Sequence, residues 1–194
     1  PPEFVAHANR LTDQSVAIDV GANKGLVSTL LAKKGALVYA FEPNTEAFRD
    51  LRKVATYFPN LRLSDSAAGT EDKETTLYLH KDTGEKVEDL SQASSLLSSK
   101  PNVSADHAYT IKEIDFAVFL RDIDAPIELI KIDIEGYEVA LVNHLLDKAD
   151  LSRIAKIYVE THDRKWPELM EGTAQMKKRV QEMGLEDKFF FDWI

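Results

Sequence analysis

Cysteine is absent from the 194 residues. That excludes disulfides, thiolate-bound metals and a cysteine nucleophile, and it fits a reducing compartment, so the expected location is cytoplasmic. Positive charge is also short: 24 Lys and Arg stand against 33 Asp and Glu, giving a net charge of −9 and a pI near 5.1. A broad phosphate-binding surface is not built from that balance, and nucleic acid is not expected as a partner. No apolar run approaches the roughly 20 residues of a membrane-spanning helix, so no membrane span is expected. The opening Pro1-Pro2-Glu3 lacks the charged and apolar regions of a secretory signal, and a start on Pro1 rather than methionine points to a trimmed N-terminus.

Hydrophobic residues make up 44% of the chain, enough for one domain with a full-sized core spanning residues 1–194. After residue 15, strand-like and helix-like patterns alternate, which predicts an α/β fold: a doubly wound, mostly parallel Rossmann-like sheet with helices on both faces. Strands are expected at 16–20, 37–41, 61–66, 127–134 and 154–159. The helix after the first strand should bury Leu26, Val27, Leu30 and Leu31; others are expected at 45–58, after the 127–134 strand with Leu141, Val142, Leu145 and Leu146 inward, and from Trp166-Pro167 on. Alternation at 75–80 and 109–114 marks two short strands outside the βα repeat, and Phe189-Phe190-Phe191 with Trp193 reads as a last strand. The polar excursion at 81–107 is longer than compact domains usually leave without structure, and reads as a linker-like insertion or an active-site lid.

Function is concentrated in Asp19-Val20-Gly21-Ala22-Asn23-Lys24-Gly25, a turn between an apolar strand and a helix. Gly21 lets the backbone turn and a ligand approach, Gly25 lets the helix start pack closely, and the helix N-terminus is expected to aim free amides at the ligand. Glu42 ends the second strand 21 residues after Gly21, near the offset at which an acid meets ribose hydroxyls. The dinucleotide fingerprint would need glycines at Asn23 and Leu26, and a P-loop would need a Lys-Ser/Thr pair; the chain has neither. A cofactor with ribose but no phosphate fits better, and S-adenosylmethionine is the common one.

A second constellation lies where ligands sit in open α/β sheets, beyond the carboxyl ends of the strands. Asp133 and Glu135 close the 127–134 strand, and Glu160 and His162 close the next. Strand alternation would put each pair on one side. Four ionisable groups on neighbouring strand ends signal a functional site, although each acid taken singly can as well cap a helix or pair with Lys131 or Arg164.

Together with Phe41-Glu42-Pro43-Asn44, Ser94-Ser95-Leu96, the run Lys131-Ile132-Asp133-Ile134-Glu135-Gly136-Tyr137-Glu138, and Val159-Glu160-Thr161-His162, the turn motif resembles the FkbM family of S-adenosylmethionine-dependent methyltransferases. The resemblance runs from about residue 16 to 162 and implies a class I methyltransferase fold acting on hydroxyl oxygens of small-molecule or saccharide acceptors. Carried over, it implies Asp19, Gly21, Ala22, Asn23 and Gly25 around the methionine part of the cofactor, Glu42 on the ribose, Asp65 and Ser66 near the adenine amine, and Asp133 between cofactor and acceptor. The usual seventh, antiparallel strand is either missing or formed by 189–194. The Asn/Asp-Pro-Pro-Tyr signature of amino-methyltransferases is absent where the chain has Asp133-Ile134-Glu135-Gly136.

Methyl transfer to an alcohol needs alignment and a proton acceptor. His162 is the expected base, with Asp133 or Glu135 accepting the proton or orienting the ring. The alternative activator is a divalent ion on Asp133, Glu135 and Glu160, and no metal ligand is assigned in preference to the base. A non-catalytic cofactor- or nucleotide-sugar-binding module needing a partner is the reading from another class.

Overall fold

Strands buried on both faces are apolar along their length, and the central sheet is built from such segments. The computed structural model describes residues 1–80, 94–98 and 103–191. In it, β1 (Val16–Val20), β2 (Leu37–Phe41) and β3 (Leu61–Ser64) pair with β7 (Ile127–Ile132), β8 (Ile154–Val159) and β9 (Phe189–Phe190) in the order β3-β2-β1-β7-β8-β9. Every pair in this sheet is parallel. The order reverses between β1 and β7, which opens a crevice at their carboxyl ends. A smaller sheet, β4 (Ala67–Gly69), β6 (Val103–Asp115) and β5 (Lys73–His80), stands beside it.

Side-chain alternation sorts the core into two layers. Val16, Ile18, Val20, Ile130 and Ile132 pack against α4 (Phe116–Asp122), α5 (Glu138–Lys148) and α6 (Met170–Glu182). Ala17, Val38, Ala40, Leu129 and Tyr158 pack against α1 (Pro2–Ala8), α2 (Leu26–Ala32) and α3 (Thr45–Ala55). The three aromatics at 189–191 are divided in the same way, Phe189 and Phe191 in the first layer and Phe190 in the second.

Several elements differ from expectation for local reasons. The 127–134 strand stops at Ile132, because Glu135 (φ 57°) and Gly136 (φ 109°) turn the chain out of extended conformation. The strand expected at 61–66 ends at Ser64, because the chain after it leaves the main sheet and Ala67–Gly69 pairs with β6 instead. The 45–58 helix stops at Ala55, where Thr56 turns its hydroxyl back to the Lys53 carbonyl at 2.7 Å. The last helix begins as a 3-10 turn, Pro167–Leu169, before α6. The final strand runs parallel beside β8, so it is not an antiparallel seventh strand; Trp193 lies outside the described residues. Of the 81–107 excursion, residues 103–107 belong to β6 and 94–98 form a short segment bridged to Tyr78. The rest of that excursion also lies outside the described residues. No helix among the described residues is long and apolar enough to cross a membrane.

Candidate active site

The crevice holds a cavity of about 360 Å³, within the range of small-molecule sites. Its floor is the turn after β1. Gly21 (φ 77°) is required there, since a Cβ would sit 1.8 Å from the Asp133 carbonyl oxygen: the two strand ends touch backbone to backbone. Gly25 (φ 88°) lies outside the cavity wall, and its missing Cβ makes room for Leu51 of α3, so it serves helix packing. Asn23 is held at φ 48° without being glycine, a strain that a binding turn tolerates when its surroundings fix it.

The turn's amides are not free. Gly21 N and Ala22 N donate to the Phe41 carbonyl at 3.0 and 2.9 Å, Asn23 N to Glu42 Oε2 at 2.7 Å, Lys24 N to Asn23 Oδ1 at 2.7 Å, and Gly25 N to the Ala22 carbonyl at 2.8 Å. An anion therefore meets no open backbone donor between Gly21 and Gly25, whereas α2 begins at Leu26 without a side-chain cap.

Glu42 is buried and lines the cavity. Its Oε1 accepts from Asn44 N at 2.8 Å while Oε2 takes Asn23 N, so the carboxyl group ties the β1 turn to the start of α3. Burial pushes its pKa up to about 7, against the pull of those two N–H groups. One lone pair per oxygen remains for a ligand. Asn44 caps α3 through Glu46 N and Ala47 N and donates to Ser94 Oγ at 2.9 Å. Ser95 exchanges backbone hydrogen bonds with Tyr78 and donates its hydroxyl to the Glu135 carbonyl at 2.8 Å, which brings Ser94, Ser95 and Leu96 over the cavity. Ala67, Ala68 and Leu77 of the smaller sheet supply an apolar side wall. Leu26, expected inward, is 86% exposed and stands at the cavity's edge instead.

Asp19 is fully buried beneath the turn and does not reach the cavity; it accepts from Ser28 Oγ at 2.6 Å and faces Lys131 Nζ at 3.3 Å. Lys131 also donates to the Gly21 carbonyl at 2.7 Å and lies 3.4 Å from Asp133 Oδ2. Burial works against its charge, but Asp19 and Asp133 outweigh it and raise its pKa. From the sequence alone Lys131 reads only as a pairing partner. A lysine in the middle of Ile-Glu-Leu-Ile-Lys-Ile was the available signal, because a charge at a core position needs anionic partners. Asp65 is exposed in a separate groove of about 700 Å³ with Arg49, Arg52 and Tyr109, and Ser66 is buried; neither lines the cavity.

Asp133, Glu135 and Glu160 line the far end, although a turn rather than strand alternation brings the first two together. His162 is 1% exposed and sits behind them, outside the cavity wall. Its Nε2 is 3.5 Å from Glu135 Oε1, 3.7 Å from Glu160 Oε1 and 3.8 Å from Asp133 Oδ1, and its Nδ1 is 3.0 Å from Glu138 Oε1. Burial lowers the ring's pKa, but Glu135 and Glu138 more than offset it and push it up to about 10. Asp133 is also raised from its usual value, to about 6, because burial outweighs Lys131. Glu138, which in the sequence reads as a helix-start cap, clamps the turn before α5 by accepting from Ile134 N and Gly136 N at 2.9 Å each.

Comparison with known proteins adds the family. Residues 19–185 match the methyltransferase FkbM domain. No curated protein matches the chain. Among solved structures, an rRNA methylase from Streptococcus thermophilus is 13% identical with a TM-score of 0.49, covering 90% of this chain and 79% of that one. The precorrin-6y C5,15-methyltransferase of Geobacter metallireducens is 12% identical with a TM-score of 0.47, covering 94% and 69%. SMU.1697c of Streptococcus mutans, solved with SAH, is 13% identical with a TM-score of 0.45, covering 96% and 82%. These likenesses are too low to carry the assignment, which rests on the domain match.

Proposed function

Because the chain belongs to the FkbM methyltransferase family, whose methyl donor is S-adenosylmethionine, we propose that it methylates a hydroxyl oxygen of a small-molecule or saccharide acceptor. One observation carries this reading: a single cavity joins a nucleoside-sized socket at Glu42 to a far end made of carboxylates. The residues fit the cofactor. Glu42 has lone pairs left for a ribose diol, Phe41, Pro43 and Ala68 give an apolar slot for a base, and the satisfied turn amides suit a ligand with no phosphate. S-adenosylmethionine, when bound, supplies an electrophilic methyl group on a sulfonium.

The chain's own part is alignment and proton removal. Asp133 and Glu135 reach the cavity, whereas the His162 ring meets it only through them, so a carboxylate takes the acceptor's proton and His162 positions those carboxylates. Leu26 and Leu96 give the cavity apolar edges. An acidic far end and a net charge of −9 favour a neutral hydroxyl compound over a polyanion.

The test incubates the protein with S-adenosylmethionine and panels of glycosides, small alcohols, amines and short RNA, and measures S-adenosylhomocysteine by mass spectrometry. Turnover with hydroxyl acceptors is expected. Product with amines or RNA alone would overturn the acceptor class, and no calorimetric binding of S-adenosylmethionine would overturn the cofactor socket.

A further inference from the structure

His162 Nε2 is buried and has no hydrogen-bond partner among the described residues, yet it faces three carboxylate oxygens from three separate side chains. At 3.5–3.8 Å these contacts are too long for good hydrogen bonds. They fall within the distance between two ligands of one ion, which at metal–ligand bonds of about 2.1 Å is at most about 4.2 Å. The best ligand atoms of Asp133, Glu135 and His162 all lie within 4.8 Å of one another, so closing them around an ion takes shifts of only a few tenths of an ångström to an ångström or so.

We propose that Asp133, Glu135 and His162 Nε2 form the core of a binding site for one divalent cation of the magnesium or manganese class, with Glu160 Oε1, 3.7 Å from Nε2 but outside the cluster of the other three, swinging in as a fourth ligand. The donor set of one imidazole and three carboxylates suits a hard to borderline ion. On the far side of the ring Nδ1 lies 3.0 Å from Glu138 Oε1, out of line for a hydrogen bond, and a small turn of the ring would set the carboxylate–imidazole pair that orients a metal-bound histidine. Glu138 is itself held by Ile134 N and Gly136 N, so the ring's backing is rigid. Asp133 divides its two oxygens, Oδ2 toward Lys131 and Oδ1 toward the imidazole, which leaves Oδ1 for the ion. Two cations compete for the site: the Nε2 proton of the ring, which the ion displaces on binding, and Lys165 Nζ, 3.4 Å from Glu160 Oε1 on a largely exposed side chain that can swing away. The three carboxylates line the cavity, so the ion has a way in and keeps positions open toward the acceptor. There a divalent cation would bind the acceptor hydroxyl and ease loss of its proton. That catalytic use rests on the methyl-transfer reading; the binding itself does not.

Manganese(II) alone is the probe. Electron paramagnetic resonance of free Mn²⁺, titrated into the full chain near neutral pH, should show loss of free ion with one equivalent bound. Glu135→Gln and Glu160→Gln should each weaken binding by at least roughly tenfold, with the fold checked by circular dichroism, while the surface change Glu182→Gln leaves it unaltered. No uptake at millimolar Mn²⁺, or uptake equal in the Glu135→Gln/Glu160→Gln double variant, would overturn the site. S-adenosylhomocysteine formation is followed separately in chelator-treated protein. If Mn²⁺ binds as expected but no acceptor is ever methylated, the cation site stands and the methyl-transfer reading falls.

Discussion

At the scale of residues, Glu42 holds the fold and the proposed ribose with one carboxyl group. Its folded pKa of about 7 lies above its ordinary 4.5, so the folded protein carries the extra proton between those values. Stability from this group is therefore fully present below about pH 4.5 and is lost as pH rises toward 7, on the order of 3 kcal/mol in all. Urea titrations across that range should show the fall in the parent and its absence in Glu42→Gln. Ribose hydroxyls donate best to the ionised form, so cofactor affinity should move oppositely and tighten as pH rises through 7; calorimetry showing no pH dependence would sink the ribose assignment. Gly21→Ala should cost at least about 2 kcal/mol by the same titration, since its Cβ would strike the Asp133 carbonyl in a left-handed backbone. Much of the site was legible at this scale: Glu42, Asp133, Glu135 and the Gly21–Asn23 turn all line the cavity. Asp19, Gly25 and Ser66 were not separable from them in the sequence. A residue one step along a strand or turn points away from the ligand, and only the register of neighbouring elements decides which.

Elements were legible where they were long and periodic. β1, β2 and β8 stand at their expected bounds because each is an uninterrupted apolar run between turn residues. α1 and α4 were missed, since seven residues carry only two turns of pattern. α1 nevertheless covers the second core layer: Phe4 is 2% exposed, stacks edge-on against Tyr158 at 5.2 Å, and His7 Nδ1 meets the Tyr158 hydroxyl at 2.7 Å. Phe4→Ala should destabilise the protein by about 3–4 kcal/mol in urea unfolding, whereas a merely decorative terminal helix would lose under about 0.5. For α3, Asn44→Ala removes a cap bonded to two backbone amides and should cost about 1–2 kcal/mol.

Over the whole molecule, the parallel sheet and its reversal point between β1 and β7 decide where chemistry can happen, and the acidic balance bears on what arrives there. Anisotropy with labelled single-stranded RNA at physiological salt should show no binding into the micromolar range; tight binding that weakens steeply with salt would overturn the hydroxyl-compound reading. The smaller sheet was visible only as two alternating stretches, because its pairing with Ala67–Gly69 joins segments far apart in the chain and leaves no local trace. Glu42 knits the β1 turn to the head of α3 through Asn23 N and Asn44 N, so a lineage that gave up the cofactor would still be penalised for losing that acid. Its presence in a distant cousin would then certify an inherited architecture, and would say nothing about whether the cousin still turns over.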